Sequence, residues 1–581
     1  MVFTRNKYYR AIFALITAGM GGLSGHAHSA ENPVPALSVI KPATGCATLT
    51  NIDLTGIGGA GSKITSAAET TQNGAAFCVV EGTLAPAIGF RVALPMASWR
   101  QRFLQVGCGG LCGRIDLQAG AAAGCAPLNS NGFAIASTNM GHTQEEEDFG
   151  NDAQKRKDFA YRGVHLTAVV SKKIIEAFYH HPAAYAYFDG CSDGGREALM
   201  EAQRYPQDFN GVIAGAAAMN FQSQNALYHA WQAVTNTGSD GKAIITAAQL
   251  PLIHQAVLAH CDALDGQKDG LIADPQACHF DVSSLRCKAG DNASSCLSGL
   301  QVATLRRLYD GPRAEGSGQK MIVGGPQFGS ELAWAGVFIP QAANDPIFSR
   351  NIALPALKTI SFVNNPPAGY TLEDLRFTRE TFDALRALHP LYDATNPDLS
   401  AFAAAGGKLI IWHGWADPHI SPLNSVAYHT AVGKTLGEAK RDSFERLYLL
   451  PGMYHCSGGE GPSLLDLLTP MVNWVERGQA PQAITTWQAA PQQKNSFGQP
   501  MMEKGTPPPE AAGHQQPPMR LETVPANAAS RPVFPYPDYA VYSGKGDVNR
   551  ADSYVRKPLH QTYDTYHWLG EDFYTPYTFI E

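Results

Sequence analysis

Past its first thirty residues the chain has no apolar run long enough to cross a bilayer, which excludes a polytopic membrane protein. Charge is sparse, at 16% Asp, Glu, Lys and Arg, and no block of like charges stands out. A formal net charge of -7 and a pI near 6.2 leave no basic footprint for nucleic acid. Internal repeats are also lacking. What is present is 581 residues, 44% of them hydrophobic, enough for a large core in several domains or in one α/β unit with insertions.

Residues 1–30 carry Arg5, Lys7 and Arg10, then an apolar stretch at 11–23, then small residues before Glu31. This is the layout of a secretory signal, cut after Ala27 or Ala30, and it predicts a secreted or periplasmic protein with no membrane contact after cleavage. In that oxidising setting eleven cysteines read as disulfides before they read as metal thiolates, and the odd number leaves at least one unpaired. Cys261 with Cys278 and Cys287 with Cys296 would bracket compact loops, and Cys46 with Cys78 would clip the amino-terminal segment.

From Arg102 onward, apolar runs alternate with helical patterns: strands at 103–106, 133–137, 184–188 and 211–214, with a long helix at 163–179. Such alternation predicts a mostly parallel sheet covered by helices. The pattern then turns irregular until a strand resumes at 408–412, followed by another at 446–450 and a helix at 464–477. A large insertion is expected between 211–214 and 408–412. The Pro- and Gln-rich stretch 491–529 lacks the apolar content for a core and is expected to be a flexible surface loop.

Gly190-Cys191-Ser192-Asp193-Gly194 matches G-x-S-x-G, in which glycines permit a sharp turn that lifts the serine hydroxyl clear of a sheet. The pattern alone is weak, but here a strand leads in and an apolar-periodic helix from Arg196 leads out, as a nucleophile elbow requires. A serine hydroxyl needs a histidine to take its proton, and that histidine needs a carboxylate to fix its tautomer and stabilise its cation. Asp417 and His455 follow successive strands, in the Ser, Asp, His order of α/β-hydrolases. His413 and His419 flank the acid on its own loop and read as structural. For the oxyanion hole, Asp193 supplies the backbone N–H after the nucleophile. Gly110, in Gly107-Cys108-Gly109-Gly110 after strand 103–106, is the preferred second donor.

These residues predict an α/β-hydrolase core from 31–220 and 402–581, with a lid at 221–401. The same triad would also serve a peptidase or a thioesterase. A non-catalytic, hydrolase-like binding protein would lack a triad member, and all three are present.

At Cys191-Ser192 and His455-Cys456 the chain resembles the tannase and feruloyl esterase family, whose members bond a cysteine before the nucleophile to one after the catalytic histidine. The likeness runs from about residue 40 to Tyr554 and includes the segments 531–537 and 544–547. It implies a Cys191–Cys456 disulfide, a serine carboxylesterase, and a small aromatic ester of feruloyl, galloyl or terephthaloyl type as substrate. It also implies a lid that supplies the acyl pocket. Two departures stand out: Phe534 and the neighbourhood of Arg556 lack cysteines that the family often has there, and the tail after Lys557 is atypical.

Cys261-Asp262-Ala263-Leu264-Asp265-Gly266-Gln267-Lys268-Asp269-Gly270-Leu271 sets three carboxylates on one glycine-bent loop, with a spacing that is not an EF-hand's. Hard oxygen donors on a flexible loop suit calcium better than magnesium. The family resemblance implies calcium here, held by the side chains of Asp262, Asp265 and Asp269 and the carbonyls of Gln267 and Leu271. Inside the insertion, such an ion would be structural.

Overall fold

The computed structural model describes residues 34–292, 294–488, 521, 524, 527–559, 565 and 567–580. The expected signal at 1–30 and nearly all of the expected loop at 491–529 lie outside the described residues.

A nine-stranded sheet organises the chain: β1 Lys63–Gln72, β2 Ala75–Leu84, β3 Ile88–Pro95, β4 Arg102–Val106, β5 Phe133–Thr138, β6 Tyr185–Cys191, β7 Gly211–Gly215, β8 Lys408–Gly414 and β9 Glu445–Leu450. Their spatial order is β1-β2-β3-β5-β4-β6-β7-β8-β9. From β5 to β9 every pairing is parallel, while β1, β2, β3 and β5 pair antiparallel. The mostly parallel α/β-hydrolase architecture is therefore present, extended by an antiparallel wing. Asn73 and Gly74, both at positive φ, form the two-residue turn between β1 and β2.

The central strands are buried on both faces, as a helix-covered parallel sheet must be. Side chains alternate between two cores: Phe188, Val212, Leu409 and Ile411 face one, Tyr187, Ile213, Ile410 and Trp412 the other. The helix Gly163–Tyr179 buries Val164, Thr167, Ala168, Ser171, Ile174, Ile175 and Phe178, the three-and-four spacing of one helical face.

Between the neighbouring strands β7 and β8, residues 216–407 add helices but none of the nine strands. Disulfides Cys261–Cys278 and Cys287–Cys296 close two of this insertion's loops, and Cys46–Cys78 ties the amino-terminal segment to β2. Cys108 pairs with Cys112, and Cys125 is unpaired and buried. The described part of the tail that departs from the family pattern is packed. Its Trp568, Phe573 and Tyr574 are buried, Phe573 stacks on His389 at 4.0 Å, and the Tyr577 hydroxyl donates to Asp393 O at 2.6 Å. Among the described residues no helix is long and apolar enough to cross a membrane.

Candidate active site

Strand β6 ends at Cys191, and Ser192 turns the chain into the helix Asp193–Arg204 with φ 65° and ψ -120°. A non-glycine residue reaches that strained region only when its surroundings hold it. Here they do: Ser192 N–H donates to Gly215 O at 3.0 Å, and Ser192 O accepts from the N–H groups of Gly195, Arg196 and Ala218 at 3.1, 3.2 and 2.9 Å. The glycines are steric requirements. A Cβ at Gly190 would lie 2.3 Å from Gly194 O, and one at Gly194 would lie 2.9 Å from Cys108 O.

Strands β8 and β9 deliver the other two residues. Asp417 Oδ2 accepts from His455 Nδ1 at 2.6 Å, and Asp417 Oδ1 accepts from the backbone N–H groups of His419 and Ile420 at 2.8 and 3.0 Å. Burial alone would raise the Asp417 pKa. The charge of His455 and hydrogen bonds from His413 and His455 outweigh it and hold the carboxyl well below the usual carboxylate range. With Nδ1 taken by Asp417, Nε2 is the His455 nitrogen that can take a proton from a hydroxyl. The Cys191–Cys456 disulfide joins the residue before Ser192 to the residue after His455, with their Cα atoms 5.9 Å apart.

His413 does more than its position in the sequence suggested. Its Nε2 donates to Asp417 Oδ2 at 3.1 Å, the oxygen that His455 also uses, and its Nδ1 faces Ser425 Oγ at 2.8 Å. His419 lies with its ring 5.0 Å from that of His455, and His229 and Phe348 of the insertion lie 5.7 and 6.3 Å beyond it. Burial and the nearby His455 push the His229 pKa down to about 3, and His419 is depressed by the same causes. Both rings therefore stay neutral at pH 7, beside His455.

Asp193 opens the helix after the elbow, its carboxylate gripped by Arg196 at 2.7 and 3.0 Å, while Arg196 donates to Ala160 O at 2.7 Å and Phe159 O at 3.1 Å. Gly110, at φ 65°, sits in the five-residue ring closed by Cys108–Cys112. The ring's stem touches the elbow, since a Cβ at Gly107 would lie 2.6 Å from Gly194 Cα. At Gly109 and Gly110 an added Cβ would meet nothing within 4 Å, so their outer faces are open.

The acidic loop closes on itself. Asp262 Oδ1 accepts from the N–H groups of Asp269 and Gly270, each at 3.2 Å, Asp265 Oδ1 from Gln267 N–H at 3.1 Å, and Asp269 Oδ1 from Leu271 N–H at 3.1 Å. Asp269 also pairs with Arg531, and Gln267 Oε1 accepts from the Tyr554 hydroxyl at 2.8 Å. Burial, followed by the charges of Asp269 and Asp262, pushes the Asp265 carboxyl up to about 7. With Arg531 and Tyr554, residues Asp265, Gln267 and Leu271 line a cavity of about 30 Å³. The donors are all oxygens, the kind that suits a hard divalent cation, but the three carboxylates do not converge on one point.

The profile of the family described as "Tannase and feruloyl esterase" matches residues 70–557. The chain belongs to this family. It is 31% identical over 557 residues to the mono(2-hydroxyethyl) terephthalate hydrolase of Piscinibacter sakaiensis, covering 83% of this chain and 85% of that one. It is 34% identical over 409 residues to feruloyl esterase B of Aspergillus niger, covering 66% and 73%. The crystal structure of feruloyl esterase B from Aspergillus oryzae superposes with a TM-score of 0.71 at 25% identity, over 88% of this chain and all of that one. The enzyme is accordingly a carboxylic ester hydrolase.

Proposed function

We propose that this esterase hydrolyses esters of aromatic carboxylic acids, of feruloyl, galloyl or terephthaloyl type, through an acyl-enzyme on Ser192. The observation that carries the reading is the Asp417–His455 pair at 2.6 Å, held beside the nucleophile elbow by Cys191–Cys456. His455 takes the hydroxyl proton as Ser192 Oγ adds to the ester carbonyl, and Asp417 stabilises the resulting imidazolium. The N–H groups of Asp193 and Gly110 receive the oxyanion. His455 then protonates the departing alcohol, and water repeats the sequence to release the acid. The neutral rings of His229, His419 and Phe348 are apt neighbours for an aromatic acyl group.

We assign residues 31–220 and 402–581 to the core and 221–401 to the lid. Disulfide density supports export to the periplasm or the medium. Calcium would be held in the lid by Asp262, Asp265 and Asp269, with the carbonyls of Gln267 and Leu271, and would brace that loop rather than activate water.

A panel of methyl ferulate, methyl gallate and mono(2-hydroxyethyl) terephthalate, set against a p-nitrophenyl alkanoate, a peptide and a thioester, tests the assignment. Higher kcat/KM for at least one aromatic-acid ester than for every other class is expected. Preference for the peptide or the thioester would overturn it.

A further inference from the structure

The helix that begins at Asp193 carries a second carboxyl one turn later, Glu197, whose side chain is fully buried. It points back at the loop of Gly110: Glu197 Oε1 accepts from Cys108 N–H at 3.1 Å and lies 2.8 Å from Cys108 Sγ and 3.6 Å from Cys112 Sγ. Its other oxygen is buried with no hydrogen-bond partner among the described residues. Cys112 Sγ also lies 3.4 Å from Asp193 Oδ2, while Gly107 N–H donates to Asp189 O at 3.0 Å and Gly113 N–H to Asn139 O at 3.1 Å. Glu197 thus accepts the hydrogen bond that ties the disulfide ring's backbone to the helix supplying the first oxyanion donor.

We propose that Glu197 is a positioning residue of the oxyanion hole, tying the Cys108–Cys112 loop to the helix that starts at Asp193 so that the N–H groups of Asp193 and Gly110 keep one spacing. This rests on the assignment of those two donors above. An oxyanion hole works because its donors are fixed before charge develops, so a loop free to drift loses transition-state stabilisation while ground-state binding persists. Burial and the neighbouring Asp193 raise its pKa well above the usual carboxylate range, which favours the neutral acid.

The test compares Glu197→Ala and Glu197→Gln on the best ester of the panel, at a temperature where melting curves show each variant folded, with Ser192→Ala in parallel. Glu197→Ala should lose roughly 10- to 100-fold in kcat, less than deletion of a whole oxyanion donor, with KM changed by less than about twofold. The amide of Glu197→Gln, neutral and able to accept the same N–H, should recover most of that loss. A folded Glu197→Ala with wild-type kcat overturns the proposal, and so does a Glu197→Gln as slow as Glu197→Ala. Should Glu197→Ala fail to fold, Glu197→Met fills the same space without an acceptor and is read the same way. Full turnover by Ser192→Ala would instead overturn the proposed function, whatever the Glu197 variants do.

Discussion

Cys191 and Cys456 stand 265 positions apart in sequence and are covalently joined, so the flanks of Ser192 and of His455 share one bond. Closing so long a loop stabilises the fold by about 5 kcal/mol on a chain-entropy basis, although measured values are often smaller. Its placement adds a second effect, because a hydroxyl and an imidazole must remain within hydrogen-bond reach. Cys191→Ala combined with Cys456→Ala should lose kcat even at temperatures where the protein is fully folded. A folded double variant with wild-type kcat would reduce the bond to a staple.

His413 donates to the carboxylate oxygen that orients His455. His413→Phe leaves Asp417 its two backbone donors and His455, so kcat should fall by about tenfold rather than by the orders of magnitude expected for a triad member. Steady-state kinetics would separate the two cases. An unchanged kcat would show that His413 only fills space.

Calcium bound to the folded lid alone would stabilise it by mass action. Protein dialysed against EDTA should melt earlier and recover with added calcium, and Asp265→Asn should blunt both changes. Identical melting with and without the chelator, with no metal by elemental analysis, would remove the ion from this loop.

Glu201 is buried, with a carboxyl raised well above the usual range by burial and then by the charge and hydrogen bonding of Asp208. A raised folded-state pKa contributes stability that is fully present below the unfolded value of about 4.3 and is lost as pH climbs toward the folded one. Glu201→Gln cannot ionise, so its Tm relative to wild type should increase between pH 5 and pH 9. A constant difference across that range would contradict this.

Much of the candidate site was legible because its residues are placed locally. Ser192, Asp417 and His455 each follow an apolar strand in an order that only a few catalytic folds use. The antiparallel wing was not. β1 is a largely exposed edge strand, Lys63–Gln72, whose polar side chains leave no apolar alternation to read. The partner of Cys108 was open too, since proximity on a tight turn is decided by backbone geometry. The roles of His413 and Glu197 depend on contacts between elements. His413, which reads as a flank of the acid's loop, lies in strand β8 ahead of it, whereas Glu197 lies inside an apolar-periodic helix and looks like a surface position. The packed tail owes its place to Trp568, Phe573 and Tyr574, aromatic residues in a segment with no periodic signal.

The central claim is that Ser192 is the nucleophile, and its most direct measurement is turnover of an aromatic-acid ester by Ser192→Ala. A fall of at least about a thousandfold in kcat with the melting curve unmoved is expected, the residual rate coming from binding and the oxyanion hole alone. Turnover near the wild-type rate in the folded variant would contradict it.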